Sequence, residues 1–95
     1  MRTYSLTVVT PYGKVFEDNV VSLSAPGTLG RFNILAKHAP LVSSLLEGLL
    51  KIDGTAGSQS LTIGSGVLEV KTNGQVLILT DFAKSIQETL QAAAG

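Results

Sequence analysis

The sequence predicts an all-β fold, a small sandwich or barrel of about eight short strands closed by one short helix. Three observations carry that prediction. Apolar and polar residues alternate with period two in several stretches, first at Tyr4, Leu6 and Val8 against Ser5 and Thr7. Turn residues interrupt the chain at short, regular intervals. Only at the end does the period become helical, at Ala83, Ile86, Leu90 and Ala93 or Ala94.

In chain order, Tyr4–Val8 is a half-buried strand ended by Pro11-Tyr12-Gly13. Val15-Phe16 makes a short second strand. Asp18-Asn19 turns the chain into Val20–Ala25, which Pro26-Gly27 closes. Phe32–Leu35 is another short strand. Leu41–Leu46 fits either a strand or a helical turn. Gly48–Gly54 is a strand ended by Asp53-Gly54, and Thr55–Ser60 a polar hairpin loop. Leu61–Ile63 and Val67–Lys71 are strands parted by Gly64-Ser65-Gly66, whose glycines permit a bulge or corner. Asn73-Gly74 is the strongest hairpin signal, read as a two-residue type I′ turn pairing Val67–Thr72 with Gln75–Thr80. Val76–Leu79 is apolar on both faces, which places it centrally. Asp81 caps a short amphipathic helix over Ala83–Ala94. The division is therefore a sandwich over residues 1–82 and a short helical tail over 83–95.

Composition bounds the function. A chain of 95 residues holds one domain and one core. Charged residues are 15%, against roughly 25% in an average soluble chain. A small domain with so few charges is suited to having part of its surface covered by a partner. Seven cationic and seven anionic residues cancel, which argues against nucleic-acid binding. Without cysteine there is neither a disulfide framework nor a thiolate metal site. No signal-peptide core, transit-type helix or membrane-length apolar run is present in the sequence.

The search for chemistry centres on His38, the only histidine. Its neighbours Lys37, Ala39 and Pro40 offer no acid-base partner. On an extended strand Ser43 would lie ~16 Å along the chain. The acids Glu17, Asp18, Glu47, Asp53, Glu69, Asp81 and Glu88 stand singly and read as solvated or turn residues, not metal ligands. Gly27-Thr28-Leu29-Gly30 lacks the lysine of a phosphate loop. The expectation is a non-catalytic chain with no cofactor and no metal. Pro26–Leu41, dense in turn residues and poor in reactive groups, reads as a surface shaped for another protein.

Three segments carry a resemblance. Thr7–Phe16 (Thr-Val-Val-Thr-Pro-Tyr-Gly-Lys-Val-Phe), Pro26–Leu41 with its His-Ala-Pro-Leu, and Gly66–Val70 followed by Val76–Asp81 occur in the order and spacing of one family. Together they resemble the epsilon subunit of bacterial and plastid F-type ATP synthase. The resemblance implies a flattened ten-stranded β-sandwich at the foot of a rotor's central stalk. It implies a subunit that links the gamma shaft to the c-ring and couples proton flow to ATP synthesis without making a bond itself. It places the c-ring contact at Thr28, Leu29, Gly30 and Arg31, and the gamma contact at Thr10, His38, Val42 and Ser43. It implies a peripheral location on the cytoplasmic side of a bacterial inner membrane, or less favourably the stromal side of a thylakoid. Family members commonly carry acids near Leu29 and Arg31, a glycine at Asn33, and Pro-Gly at Ala36-Lys37; Val67 stands where an aromatic residue or isoleucine is common. Arg31 reverses the usual sign, so the ring loop opposite is expected to be acidic or neutral. The family usually continues into a C-terminal helical hairpin; a chain ending after one short helix is expected to lack its inhibitory element and its nucleotide site.

Two other readings compete. A lipoyl- or biotinyl-type carrier needs an acceptor lysine at a hairpin tip beside acidic or methionine residues. Lys71 lies near Asn73-Gly74, but Val70 and Thr72 flank it. A generic protein-binding sandwich fits the composition without specifying a partner.

Overall fold

Ten strands account for nearly all of the residues that the computed structural model describes, 2–86. They are β1 (Tyr4–Thr10), β2 (Gly13–Val20), β3 (Ser22–Gly27), β4 (Gly30–Leu35), β5 (Leu41–Leu45), β6 (Gly48–Gly54), β7 (Gly57–Ile63), β8 (Gly66–Val70), β9 (Val76–Thr80) and β10 (Ala83–Ile86). Hydrogen bonds link them in the order β10-β7-β6-β3-β5-β8-β9-β1-β2, with β4 on the other edge of β3. A single residue pair, Gly27 with Leu45, joins β3 to β5. There the sheet folds over, giving one layer β10-β7-β6-β3-β4 and a second layer β5-β8-β9-β1-β2.

The alternation explains the packing. Tyr4, Leu6 and Val8 of β1 point inward, as do Leu23 and Ala25 of β3 and Leu50 and Ile52 of β6. Leu68 and Val70 of β8 meet them with Val76 and Ile78 of β9. β9 lies between β8 and β1 and runs parallel to β1, so it is central, as its double-sided apolar character predicts. The Tyr4 hydroxyl crosses the core and donates to the Ile34 carbonyl at 2.7 Å.

That buried bond supports a prediction. Tyr4→Phe should cost about 1–2 kcal/mol, because the Ile34 carbonyl loses its donor. Burial also pushes the Tyr4 phenol well above its ordinary value. Its contribution is then fully present below the unfolded value of about 10, and is lost as pH rises beyond it, because only the unfolded phenol ionises there. Denaturant titrations from neutral to strongly alkaline pH check this. Equal alkaline slopes for wild type and Tyr4→Phe would show that Tyr4 contributes no such linkage.

Several local expectations change. Asp18 and Asn19 do not turn the chain; they pair with Leu6 and Ser5 inside β2, and the bend falls at Val21. An edge strand accepts such residues because one side faces solvent, and charge there also discourages pairing with other sheets. Lys14 and Glu17 on this strand form an exposed ion pair at 2.8 Å. Leu41–Leu45 is strand, not helical turn. Most of the polar loop is strand as well: Gly54 pairs with Gly57, so only Thr55 and Ala56 turn.

The Asn73-Gly74 turn is wider than type I′. Val70 and Val76 are the last strand pair, the Gly74 N–H donates to the Lys71 carbonyl at 2.9 Å, and the Lys71 N–H donates to that of Gln75 at 2.8 Å. Gly74 has φ +89°, whereas Asn73 is not left-handed, as type I′ would require. The Asn73 carboxamide oxygen accepts from the Gln75 N–H at 3.0 Å, which holds a three-residue loop instead.

The helix expected from Ala83 does not start there. Ala83–Ile86 pair with Ile63–Ser60 on the open edge of β7, where backbone bonding prevails over a weak helical period. The rest of that expected helix lies outside the described residues. Among the described residues, no helix is long and apolar enough to cross a membrane.

Candidate partner-binding surfaces

Strand directions sort the connections into two ends. The C-terminal ends of the odd-numbered strands are linked to one another: Val9 of β1 pairs with Leu79 of β9, Thr80 with Gly66, the Gly64 N–H donates to the Phe82 carbonyl, Ile63 pairs with Gly48, and β3 and β5 meet at their last residues, Gly27 and Leu45. The β1–β2, β3–β4, β5–β6, β7–β8 and β9–β10 turns therefore gather at one end. The N-terminus, Val21, Ala36–Pro40, Thr55-Ala56 and Thr72–Gln75 gather at the other.

The first end projects four large apolar side chains, with the exposed acids Glu47 and Asp81 on two of the same turns. Tyr12 is 93% exposed, Leu29 102%, Leu46 52% and Phe82 44%, each on a different turn. Sequence reading missed this set because the four are far apart in the chain and each looks like an ordinary turn residue. Its one legible part was the tip of Pro26–Leu41. That segment is not a single loop: Thr28 and Leu29 form a two-residue turn between Gly27 and Gly30, and Gly30–Leu35 form β4.

Thr28, Leu29, Gly30 and Arg31 thus sit together at the apolar end. Arg31 is not a free charge, however. Its Nε donates to the Ser24 hydroxyl at 2.8 Å, and its Nη2 to the carbonyls of Ser24, at 3.3 Å, and Leu49. The guanidinium staples β4 across β3 to β6, leaving Leu29 as the most projecting side chain of the tip.

Thr10, His38, Val42 and Ser43 do not form one patch. Thr10 is buried at the apolar end; its hydroxyl lies 3.3 Å from the Gly13 carbonyl and accepts from the Tyr12 N–H at 3.1 Å. His38 is exposed at the opposite end, roughly 20 Å away by the length of β1. Its Nδ1 donates to the Ala39 carbonyl at 2.7 Å, which sets Nδ1 as the protonated nitrogen. Val42 faces outward from β5, whereas Ser43 faces inward and is half-buried. Among the described residues no cluster of histidine and carboxylate side chains suited to a metal is present.

The outer face of the second layer links the two ends. Ser44, Val67, Leu79 and Val9 lie in register across β5, β8, β9 and β1, with Val42, Glu69, Leu77 and Thr7 in the next row. Val42, Val67 and Leu79 are exposed. The doubly apolar run Val76–Leu79 was the signal for this face in the sequence. Elsewhere, Asp53 accepts from Ser58 at 2.5 Å and Ser22 at 2.9 Å, and these bonds hold its carboxyl below the usual range. Lys71 starts the β8–β9 turn and is half-buried, a poor setting for a carrier's swinging lysine.

Comparison with known proteins gives the architecture a family. The model of the ATP synthase delta/epsilon chain β-sandwich domain matches residues 3–86. The ATP synthase epsilon chain of Pelotomaculum thermopropionicum is 37% identical over 87 residues, spanning 92% of this chain and 64% of that protein. The epsilon chain of a Sulfurovum species is 34% identical, spanning 93% of this chain and 77% of the relative. Among solved structures, a chain of the Euglena gracilis mitochondrial ATP synthase OSCP/F1/c-ring assembly superposes with a TM-score of 0.82 at 24% identity, over 97% of this chain and 61% of that one. A chain of the Tetrahymena thermophila central stalk/c-ring assembly gives 0.75 at 18% identity, over 86% and 66%. These likenesses show the same fold. With its sequence match running from β1 through β10, the chain belongs to the ATP synthase delta/epsilon β-sandwich family.

Proposed function

We propose that this chain is the non-catalytic central-stalk subunit of a rotary, proton-translocating ATP synthase, joining the gamma shaft to the c-ring. It would sit peripherally on the cytoplasmic side of a bacterial inner membrane. The observation that carries this reading is the apolar end: four large side chains on four separate turns, left uncovered in a chain of this family. Such an end suits a broad partner surface better than a small ligand, because it is a rim of projections and not an enclosed pocket. The contribution of the subunit is mechanical. A closely hydrogen-bonded sandwich transmits torque between the ring and the shaft, with no bond made or broken in this chain.

Thr28, Leu29 and Gly30 are the proposed ring contact, and Tyr12, Leu46 and Phe82 extend it. Arg31 contributes mainly by bracing the tip through Ser24 and Leu49. Leu29→Asp/Phe82→Asp should leave thermal melting of the isolated chain nearly unchanged, since both side chains are exposed. In a reconstituted enzyme the pair should lose ring retention and proton-coupled ATP synthesis. Co-purification with shaft and ring, followed by acid-bath ATP synthesis in vesicles, checks this. Normal coupling by the double variant would defeat the contact, and a wild type that never co-purifies with either partner would defeat the function.

A further inference from the structure

The end opposite the apolar rim carries a cleft of about 680 Å³, walled by the N-terminal residues 2–5, the β4–β5 loop and the β8–β9 turn. We propose that this cleft receives an acidic segment of the shaft partner. The inference rests on the stalk reading above and adds the chemistry of the contact.

Charge is segregated in the cleft. The chain as a whole is neutral, yet Arg2 and Lys37 line this opening, with the His38 imidazole beside them, and no aspartate or glutamate does. Ala36, Ala39 and Pro40 supply apolar wall beside them. Of the lining carboxamides, Asn73 donates to the Gln75 Oε1 at 3.1 Å. Arg2 and Lys37 supply the charged donors, beside the hydroxyls of Thr3, Ser5 and Thr72.

A strained turn sets Lys37 on the cleft rim. The His38 N–H donates to the Leu35 carbonyl at 3.2 Å, closing a turn in which Lys37 has φ +69°. Lys37 is the only non-glycine residue with positive φ among those described. A side chain there costs about 1–2 kcal/mol, a penalty that glycine would avoid.

The occupant follows from exposure. Arg2, Lys37 and His38 are all exposed, not sunk into a closed pocket. A small free anion is held best by buried, convergent donors, whereas rim cations match a protein surface offering several carboxylates. A subunit seated on the ring by its apolar end also turns this cleft away from the ring, where the shaft is the available partner.

The test measures affinity of the full 95-residue chain for the purified shaft subunit at low and high salt. Arg2→Glu/Lys37→Glu is compared with wild type and with Lys51→Glu, an exposed cation on β6 outside the cleft. Lys37→Glu keeps the same backbone strain, so melting should change little. The double variant should bind about tenfold more weakly at low salt and lose most of its salt dependence, while Lys51→Glu behaves as wild type. Unchanged affinity and salt dependence in the double variant would overturn this inference alone. Absence of wild-type binding would overturn the stalk reading and this inference with it. Saturable amide shifts at Arg2 and Lys37 with pyrophosphate, in the absence of shaft subunit, would reassign the cleft to a free anion and overturn the acidic-segment proposal.

Discussion

Gly66→Ala should be among the most damaging single substitutions in this chain. A Cβ at this position would lie 2.1 Å from the Leu79 carbonyl oxygen and 2.9 Å from the Thr80 Cα. Both are backbone atoms of β9, which is held on its far side by β1, so neither can rotate away. The β8–β9 ladder must part where it begins, at the Gly66–Thr80 pair. Overpacking of this kind costs about 3 kcal/mol or more, a large share of the roughly 5–15 kcal/mol that holds a small domain together. Thermal melting should fall by more than about 12 °C. Gly64→Ala is the informative comparison. Its Cβ would meet the Asp81 Oδ1 and the Phe82 ring, the movable ends of two exposed side chains. It should cost clearly less, and a Gly66→Ala protein melting like Gly64→Ala would show that the strand approach at Gly66 is not limiting.

The second large effect is expected at Ile78. It is fully buried at the centre of β9, flanked by Val8 of β1 and Leu68 of β8, which are also fully buried. Removing three carbons there leaves a cavity bounded by ladders on both sides, so the walls cannot collapse inward. Ile78→Ala should cost about 2–5 kcal/mol. The next residue, Leu79, is 49% exposed on the outer face. Leu79→Ala should change the isolated chain by no more than about 0.5 kcal/mol. Chemical denaturation of both variants checks the pair. Equal losses would mean that the two faces of β9 are not distinguished as described, and would remove the outer row Val67–Leu79–Val9 as a surface for a partner.

The class of the fold was legible because it rests on local alternation. Tyr4, Leu6 and Val8 alternate in the sequence and are buried in the structure, and Val76–Leu79 reads as a central strand and is one. Edges were less legible. Polar Asp18-Asn19 and Ser58–Ser60 resemble turns, yet both sit in strands, because a residue with one side in water needs no apolar character to stay in a ladder. Ala83–Ile86 failed for a related reason. The sequence assigned a helical spacing to Ala83–Ala94, but backbone pairing with the open edge of β7 prevails over it at Ala83–Ile86. Which side chains share an end was legible only in part, through the turn-rich tip Thr28–Arg31.

By itself, then, the sequence determined an all-β chain, its inward-facing residues, the poverty of reactive groups and the ordered segments that resemble its family. The tertiary structure decided which side chains share a surface. It brought Tyr12, Leu29, Leu46 and Phe82 to one end and Arg2, Lys37 and His38 around a cleft at the other. It tied down the Arg31 guanidinium and assigned Gly66 to a close strand approach. The physical reason is range. Alternation and turn chemistry act between near neighbours, so a single chain segment records them. Adjacency across a sheet is set by burying the apolar faces of both layers together, and no one segment carries that information.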